Sequence, residues 1–322
     1  MATVRTQRGD GEVVGMEHIE ATQVRRELSM VAAIDALEAA IRARGFADAP
    51  QRMHLHDGAR DLLVMPAVDQ GWAGTKFVSL DRDNPGRGLP FVNGVYTLLG
   101  PPGLLPRLTI DAPALTEIRT AAVSGLATRH LARPDACRLM ILGTGVQARS
   151  HLISMSAVRP LEEVVIVGRT REAAERLVAE VAEDTSATVR VGRAEDVAHA
   201  DLVCVVTSSR TPVFDGALLP EGVHVNAVGS FRPDVQEVDA ASVMASRVVV
   251  EVREAALSEK GDLILARERA DWDPASIVAD LPELLADPSR GRSAPEDRTL
   301  FASVGHAYED LVLARALAEG RA

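Results

Sequence analysis

Leu139-Met140-Ile141-Leu142-Gly143-Thr144-Gly145-Val146-Gln147-Ala148 decides the fold. An apolar run leads into a Gly-x-Gly-x-x-Ala turn, and a helical segment follows. Gly143 permits the tight turn. Gly145 has no side chain, so a pyrophosphate can come up to the backbone, and Ala148 is small enough for the helix to pack on the strand. The first turn of that helix, from Val146 and Gln147, offers unpaired backbone N–H groups and a positive dipole end to an anion. A strand before the glycines and a helix after them point to dinucleotide binding rather than to a merely structural turn.

Outward from this unit the chain alternates in the manner of a parallel doubly wound sheet. Six strands are expected, at residues 138–142, 164–167, 188–191, 202–207, 224–228 and 247–251. A helix is expected over 171–183, and helical segments continue toward Leu285. Thr207 ends the fourth strand, and Val228 and Ser230 close the fifth, at the carboxyl edge where such sheets bind cofactors. The end of the second strand selects the nicotinamide cofactor. An acid there would bind the ribose 2′-hydroxyl and repel a 2′-phosphate. The chain has Gly168-Arg169-Thr170-Arg171 instead. Two guanidinium groups and a hydroxyl suit a phosphate dianion, so NADP(H) is favoured over NAD(H).

The part before residue 112 reads differently. Residues 29–44 form an amphipathic helix pattern, with Ile34, Leu37, Ala40 and Ile41 on one side and Gly45 ending it. Residues 53–55, 61–65, 74–80, 91–99 and 108–110 read as strands, and 81–88 as a loop rich in Asp, Asn, Pro and Gly. Residues 1–15 read as frayed chain or an edge strand. Residues 115–131 are a long alanine-rich helix, and 308–319 a final one. The fold class is therefore α/β, a Rossmann sheet joined to a strand-rich α+β part. His54 and His56 would share one face of a strand, as metal ligands do. Only Asp57 stands nearby in sequence, so they read as an ordinary surface or core pair, and no metal is expected.

Composition narrows the function classes. The 322 residues, 47% of them apolar, suffice for two domains. Against 46 acidic residues stand 35 basic ones, for a net charge of −11, which argues against a nucleic-acid partner. No apolar run reaches the length of a membrane span, and residues 1–20 hold no signal-peptide core. A cytoplasmic protein is expected. Cys137 and Cys204 sit in apolar strand-like runs and read as buried free thiols.

The motifs, in their order, resemble the ornithine cyclodeaminase/mu-crystallin family. Arg52, Met65-Pro66 and Gly74-Thr75-Lys76 carry the resemblance first, then Leu115-Thr116-Glu117-Ile118-Arg119-Thr120-Ala121-Ala122. The glycine turn follows, then Asn226-Ala227-Val228-Gly229-Ser230 with Glu237, then Thr299-Leu300-Phe301-Ala302-Ser303-Val304-Gly305 and Glu309-Asp310. The resemblance implies a homodimer whose substrate-binding and dimerisation domain is discontinuous, 1–118 plus 306–322, with the Rossmann domain at 119–305. It implies that Arg52, Lys76 and Arg119 grip a substrate α-carboxylate. Each alone would read as a solvated surface charge; together they could hold an acid group, with an arginine gripping it in bidentate fashion. It implies a substrate pocket at Leu63, Met65, Ser230 and Phe231. It also sets Thr120 and Gly305 beside the cofactor, with the glycine turn, Arg169-Thr170, Thr207 and Val228. Asp310 would hold a cation of the clamp.

Departures from the family pattern choose among its activities. Cyclodeaminases of this family carry a carboxylate two residues after the glycine matching Gly229, and a glutamate two residues before the Met of Met-Pro. Here those positions are Phe231 and Leu63. Apolar residues can neither pair with a second ammonium nor move a proton, so ornithine deamination with cyclisation is disfavoured. The mu-crystallin-like ketimine reductases also lack both acids, although Phe231 is not their small polar residue. It would narrow the pocket, stack on a substrate ring or fill the core. The expected activity is NAD(P)H-dependent reduction of a cyclic imino acid, such as a pyrroline- or piperideine-2-carboxylate, with Lys76 the candidate proton source. The alternatives are reductive amination of a 2-oxo acid, as in alanine or opine-type synthesis, and a non-catalytic NADPH or small-ligand binder.

Overall fold

In a computed structural model, residues 4–7, 13–47 and 49–321 are described. The chain divides into two compact units. The first comprises residues up to Ala40, Phe46–Arg119 and His306 onward; the second comprises Ile41–Gly45 and Thr120–Gly305. No helix among the described residues is long and apolar enough to cross a membrane.

The first unit is built on a seven-stranded sheet. Its strands are β1 (Val4–Gln7), β2 (Val13–Ile19), β3 (Met53–Asp57), β4 (Arg60–Asp69), β5 (Trp72–Asp81), β6 (Val92–Gly100) and β7 (Leu105–Asp111), in the order β1-β2-β7-β6-β5-β4-β3. All neighbours are antiparallel except β2 with β7. Its helices are α1 (Ala21–Glu27), most of α2 (Met30–Arg44), the start of α3 (Ala112–Leu131) and α10 (Ala307–Glu319). The expected edge strand near the N-terminus is present as β1 and β2; residues 1–3 and 8–12 of that stretch lie outside the described residues. Side chains alternate across a strand. Leu63, Met65 and Ala67 of β4 therefore turn one way and are buried, while Leu62 and Val68 turn the other way and are exposed. Register aligns Met65 with Lys76, and Lys76 with Tyr96, across three strands. The same face that buries Leu63 and Met65 thus carries a lysine, and α10 packs against β4 and β5.

The second unit is an all-parallel sheet of eight strands. They are β8 (Arg138–Leu142), β9 (Glu163–Val167), β10 (Thr188–Val191), β11 (Leu202–Val205), β12 (His224–Ala227), β13 (Arg247–Val250), β14 (Ile277–Asp280) and β15 (Thr299–Ala302). The order is β10-β9-β8-β11-β12-β15-β13-β14. Met140, Leu142, Val203 and Val205 pack into one apolar cluster, and Leu139, Ile141, Leu202 and Cys204 into another, so both faces of the sheet are covered. That is the doubly wound arrangement. Helices α4 (Val146–Val158), α5 (Arg171–Val181), α6 (Ala240–Met244), α7 (Arg253–Glu259), α8 (Gly261–Ala270) and α9 (Leu281–Ala286) complete the unit.

Several expectations need correction. The sheet has eight strands, not six. β15 enters between β12 and β13, so the expected fifth and sixth strands are not neighbours. β11 stops at Val205 and β12 at Ala227. Thr207, Val228 and Ser230 therefore lie in the loops just past the strands, where Val228 and Gly229 donate backbone hydrogen bonds to the Val205 carbonyl. Both cysteines are free, but Cys137 immediately precedes β8 rather than lying in it and is only half-buried.

Candidate active site

A buried charge cluster marks the first unit. Lys76 Nζ lies 2.7 Å from Asp310 Oδ2, and both side chains are almost wholly buried. Arg119 Nη1 lies 3.2 Å from Glu309 Oε2, and its Nε lies 3.7 Å from Asp310 Oδ1. The two acids come from the first turn of α10, where carboxylates also suit the helix dipole. Asp310 therefore pairs with Lys76. Glu309 is the partner that the sequence reading did not assign. Tyr96 lies beside the lysine with its hydroxyl buried and unbonded among the described residues. A side chain at Gly74 would overlap the Tyr96 phenol, so that glycine makes room for it.

Three cations, Arg52, Lys76 and Arg119, and two acids, Glu309 and Asp310, thus act on one another here. Buried ions are costly. The lysine records that cost. Burial pushes Lys76 down to about 8; Asp310 opposes the shift, and Arg119 and Arg52 add to it. The folded protein thus prefers neutral Lys76 more than the unfolded chain does. Protonated Lys76 destabilises the fold below about pH 8, and that cost is relieved between there and the ordinary lysine range. A bound anion needs the ammonium. Affinity for an inert ring acid such as pyrrole-2-carboxylate is therefore expected to fall, by up to about tenfold per unit, as pH rises above Lys76's folded value. Lys76→Arg should abolish that limb in a calorimetric titration; an unchanged limb would remove Lys76 from the clamp.

The second unit supplies a dinucleotide cradle. Gly143 sits at φ +129°, and a Cβ there would lie 2.5 Å from the Val206 carbonyl oxygen. Only glycine fits this turn. Gly145 caps α4 in extended conformation, and a Cβ built on it meets nothing within 4 Å. Its missing side chain is thus unrelated to internal packing; the space lies open at a helix N-terminus, beside the exposed Val146. Gln147 follows in the same turn, with its side-chain oxygen buried and unbonded among the described residues. Thr120 Oγ1 is also buried without a hydrogen-bond partner among them. An open glycine turn with unsatisfied polar atoms in the unit fits a dinucleotide.

Past β9, Thr170 caps α5 by accepting from Ala173 N. Arg171 pairs with Glu175 at 2.7 Å. Arg169 is exposed, and no hydrogen bond or ion pair engages it among the described residues.

Buried acids shape the remaining loops, and local sequence pattern does not announce them. Glu251 accepts from Ser303 Oγ at 2.6 Å, Val304 N at 3.0 Å and Gly305 N at 2.7 Å, and so fixes the loop after β15. Glu237 accepts from Thr207 N at 2.9 Å and from the Thr207 hydroxyl. Burial pushes Glu237 up to about 7 against the pull of Lys260 and Thr207. A side chain at Gly229 would overlap Glu237. Lys260, fully buried, donates to the Ser230 carbonyl at 3.0 Å and pairs with Asp262 at 3.0 Å. Ser230 turns its hydroxyl to Val235 O at 2.7 Å, whereas Phe231 is 40% exposed. The structure thus gathers Thr207, Val228, Gly229 and Ser230 at one sheet edge, and separately gathers Lys76, Met65, Leu63 and Arg119 in the first unit.

A Rossmann sheet with an open glycine turn defines a dinucleotide-binding α/β protein. The model described as the ornithine cyclodeaminase/mu-crystallin family matches residues 16–321. The chain belongs to that family, as its motifs indicated. It is 38% identical over 262 residues to a Delta(1)-pyrroline-2-carboxylate reductase of Bacillus cereus, covering 80% of each chain. A Delta(1)-pyrroline-2-carboxylate reductase of Thermococcus litoralis, solved in complex with NADH and L-proline, superposes with a TM-score of 0.89 at 31% identity, over 95% of this chain and 97% of that one. An archaeal alanine dehydrogenase dimer with bound NAD gives a TM-score of 0.88 at 31% identity, over 95% of each chain.

Proposed function

We propose that this chain is an NAD(P)H-dependent reductase of cyclic imino acids, acting on a ketimine carboxylate such as pyrroline- or piperideine-2-carboxylate. The single observation that carries the reading is the gathering of Arg119 and the buried Lys76 in one cluster, with Arg52 close enough to act on the lysine. A protein that only bound a dinucleotide would have no use for it. A reduced nicotinamide, when bound, would supply the hydride that the C=N carbon takes up. Arg52, Lys76 and Arg119 hold the carboxylate and fix which face of the ring is presented. Lys76 Nζ, with its proton affinity brought down by burial, is the group able to pass a proton to the ring nitrogen. Leu63 and Phe231 stand where a deaminating enzyme would need acids, so no residue there engages a second amine. A substrate panel tests the proposal. NADPH loss is expected with cyclic imino acids. Loss only with a 2-oxo acid plus ammonia or an amino acid would favour reductive amination, the reading that the alanine dehydrogenase relative supports. Ammonia and proline from ornithine would overturn it.

NADPH is the preferred cofactor in this reading, with Arg169 and Thr170 on the 2′-phosphate and Gly143, Gly145, Val146 and Gln147 under the pyrophosphate. Thr120, Thr207, Val228 and Gly305 complete the cofactor set. A charge-assisted hydrogen bond is worth roughly 1.5–3 kcal/mol. Arg169→Asp is therefore expected to weaken NADPH binding by about 10–100-fold and leave NADH binding equal or better. Equal loss for both, measured by fluorescence titration, would remove Arg169 from this role.

The same reading makes the active species a homodimer, with the first unit as the substrate-binding and dimerisation domain. Register sets Met53, Val64 and Phe77 in one row and Leu55 and Leu62 in the next, all on the sheet face opposite Lys76. Four of the five are exposed. An apolar face of this kind calls for a cover, and a second copy of the chain supplies one. Light scattering should give twice the 34.3 kDa chain mass, and Phe77→Asp should halve it. A native monomer would contradict this assignment.

A further inference from the structure

The two histidines set aside in the sequence as an ordinary pair acquire a third partner in the fold. The hairpin of β3 and β4 sets His54 opposite Leu63 and His56 opposite Asp61. Both histidines therefore share a face with Asp61, an acid five residues beyond His56 that linear spacing did not single out. Asp61, not the neighbouring Asp57, completes the group. The His56 Nδ1 atom is hydrogen-bonded to Asp61 Oδ1, and His54 Nε2 lies 3.7 Å from the same oxygen. The imidazole centroids are 4.0 Å apart. All three ligand atoms lie within 4.8 Å of one another.

We propose that His54, His56 and Asp61 form a binding site for one divalent transition-metal ion of the zinc type. Two imidazoles and one carboxylate are the donor set that such borderline ions prefer over magnesium or calcium. Zinc binds nitrogen and oxygen at about 2.0–2.2 Å in tetrahedral geometry, so two ligand atoms on one ion stand about 3.4 Å apart. Closing the group onto one ion asks for shifts of up to about 1.4 Å, within reach of side-chain rotation at the exposed histidines. Asp61 is buried and its other oxygen meets Arg82 Nη2 at 3.4 Å. That contact orients the carboxylate from behind, as outer partners of metal ligands do. Because the histidines face solvent, the remaining coordination positions would be filled by water. The ion would tie β3, the last strand of the sheet, to β4, so binding should stabilise the fold.

The test is titration of Zn²⁺ alone into the full chain, free of purification histidines, against a chromophoric chelator. One ion per chain is expected at micromolar affinity or tighter, with no competition from a thousandfold excess of Mg²⁺. His54→Ala and His56→Ala should each weaken binding at least tenfold. Zn²⁺ should raise the Tm of the native chain and leave that of the His54→Ala/His56→Ala double variant unchanged, a comparison that holds even if Asp61→Asn fails to fold. Equal zinc affinity in native and double variant, or an equal Tm response, would overturn the proposal. These readouts use neither imine nor dinucleotide, so they are independent of the proposed activity.

Discussion

Arg119→Leu is expected to lower kcat/KM for a cyclic imino acid by about 10²–10³-fold, the equivalent of about 3–4 kcal/mol. The substitution removes one of the three cations proposed to hold the substrate acid. It also leaves Glu309, now 3.2 Å from Arg119 Nη1, buried without that partner. Breaking a buried pair this way costs about 3–5 kcal/mol, so Tm should fall as well. Arg119→Lys separates the two effects. It keeps the charge and loses the planar fork; about a tenfold to hundredfold loss is expected, with little change in Tm. Dinucleotide affinity should stay within about threefold in both variants, because the ion pairs of Arg119 with Glu309 and Asp310 lie in the first unit. Unchanged kcat/KM in Arg119→Leu would show that the cluster is structural.

Gly145→Val should abolish measurable dinucleotide binding, at least a hundredfold loss, while Tm stays within a few degrees. The position has open space around it and an extended backbone that any residue can adopt. Only a ligand needs the room. Gly143→Ala should behave oppositely. Its backbone lies at φ +129° and its new Cβ would press on Val206 O. Strained backbone of this kind costs about 1–3 kcal/mol, so the loss should appear first in Tm. Fluorescence titration and thermal unfolding on both variants check the contrast. Gly145→Val binding the dinucleotide normally would refute the cradle.

The contrast between those glycines also shows how far sequence reading reaches. The motif names both, yet only packing distinguishes the one the turn requires from the one the ligand requires. β8 and β10 have their expected limits because short apolar runs bounded by polar turns leave little choice. β14 and β15 did not stand out. Each has four residues, one of them Asp280 or Thr299, and the place of β15 between β12 and β13 depends on pairing with distant segments. Leu63, Met65 and Lys76 share a face by strand alternation, which the sequence contains. That Glu309 and Asp310 meet the cations could not be read from charge pattern, since α10 follows Arg119 by almost two hundred residues. Glu237, Glu251 and Lys260 are the sharpest case. Motif and strand pattern give them places in the chain but no partners, and only long-range burial turns them into supports for the loops at the sheet edge. His54 and His56 likewise gained Asp61 through a hairpin rather than through spacing.

The central claim is that a buried cationic clamp presents an imino acid, through its carboxylate, for reduction. NADPH oxidation measured with Δ1-pyrroline-2-carboxylate and with Δ1-pyrroline, the same ring without the acid, tests it most directly. The expected result is a kcat/KM at least about 10³-fold higher for the acid, the worth of two or three charge-assisted hydrogen bonds. Similar rates with the two rings, or no NADPH oxidation with either, would contradict it.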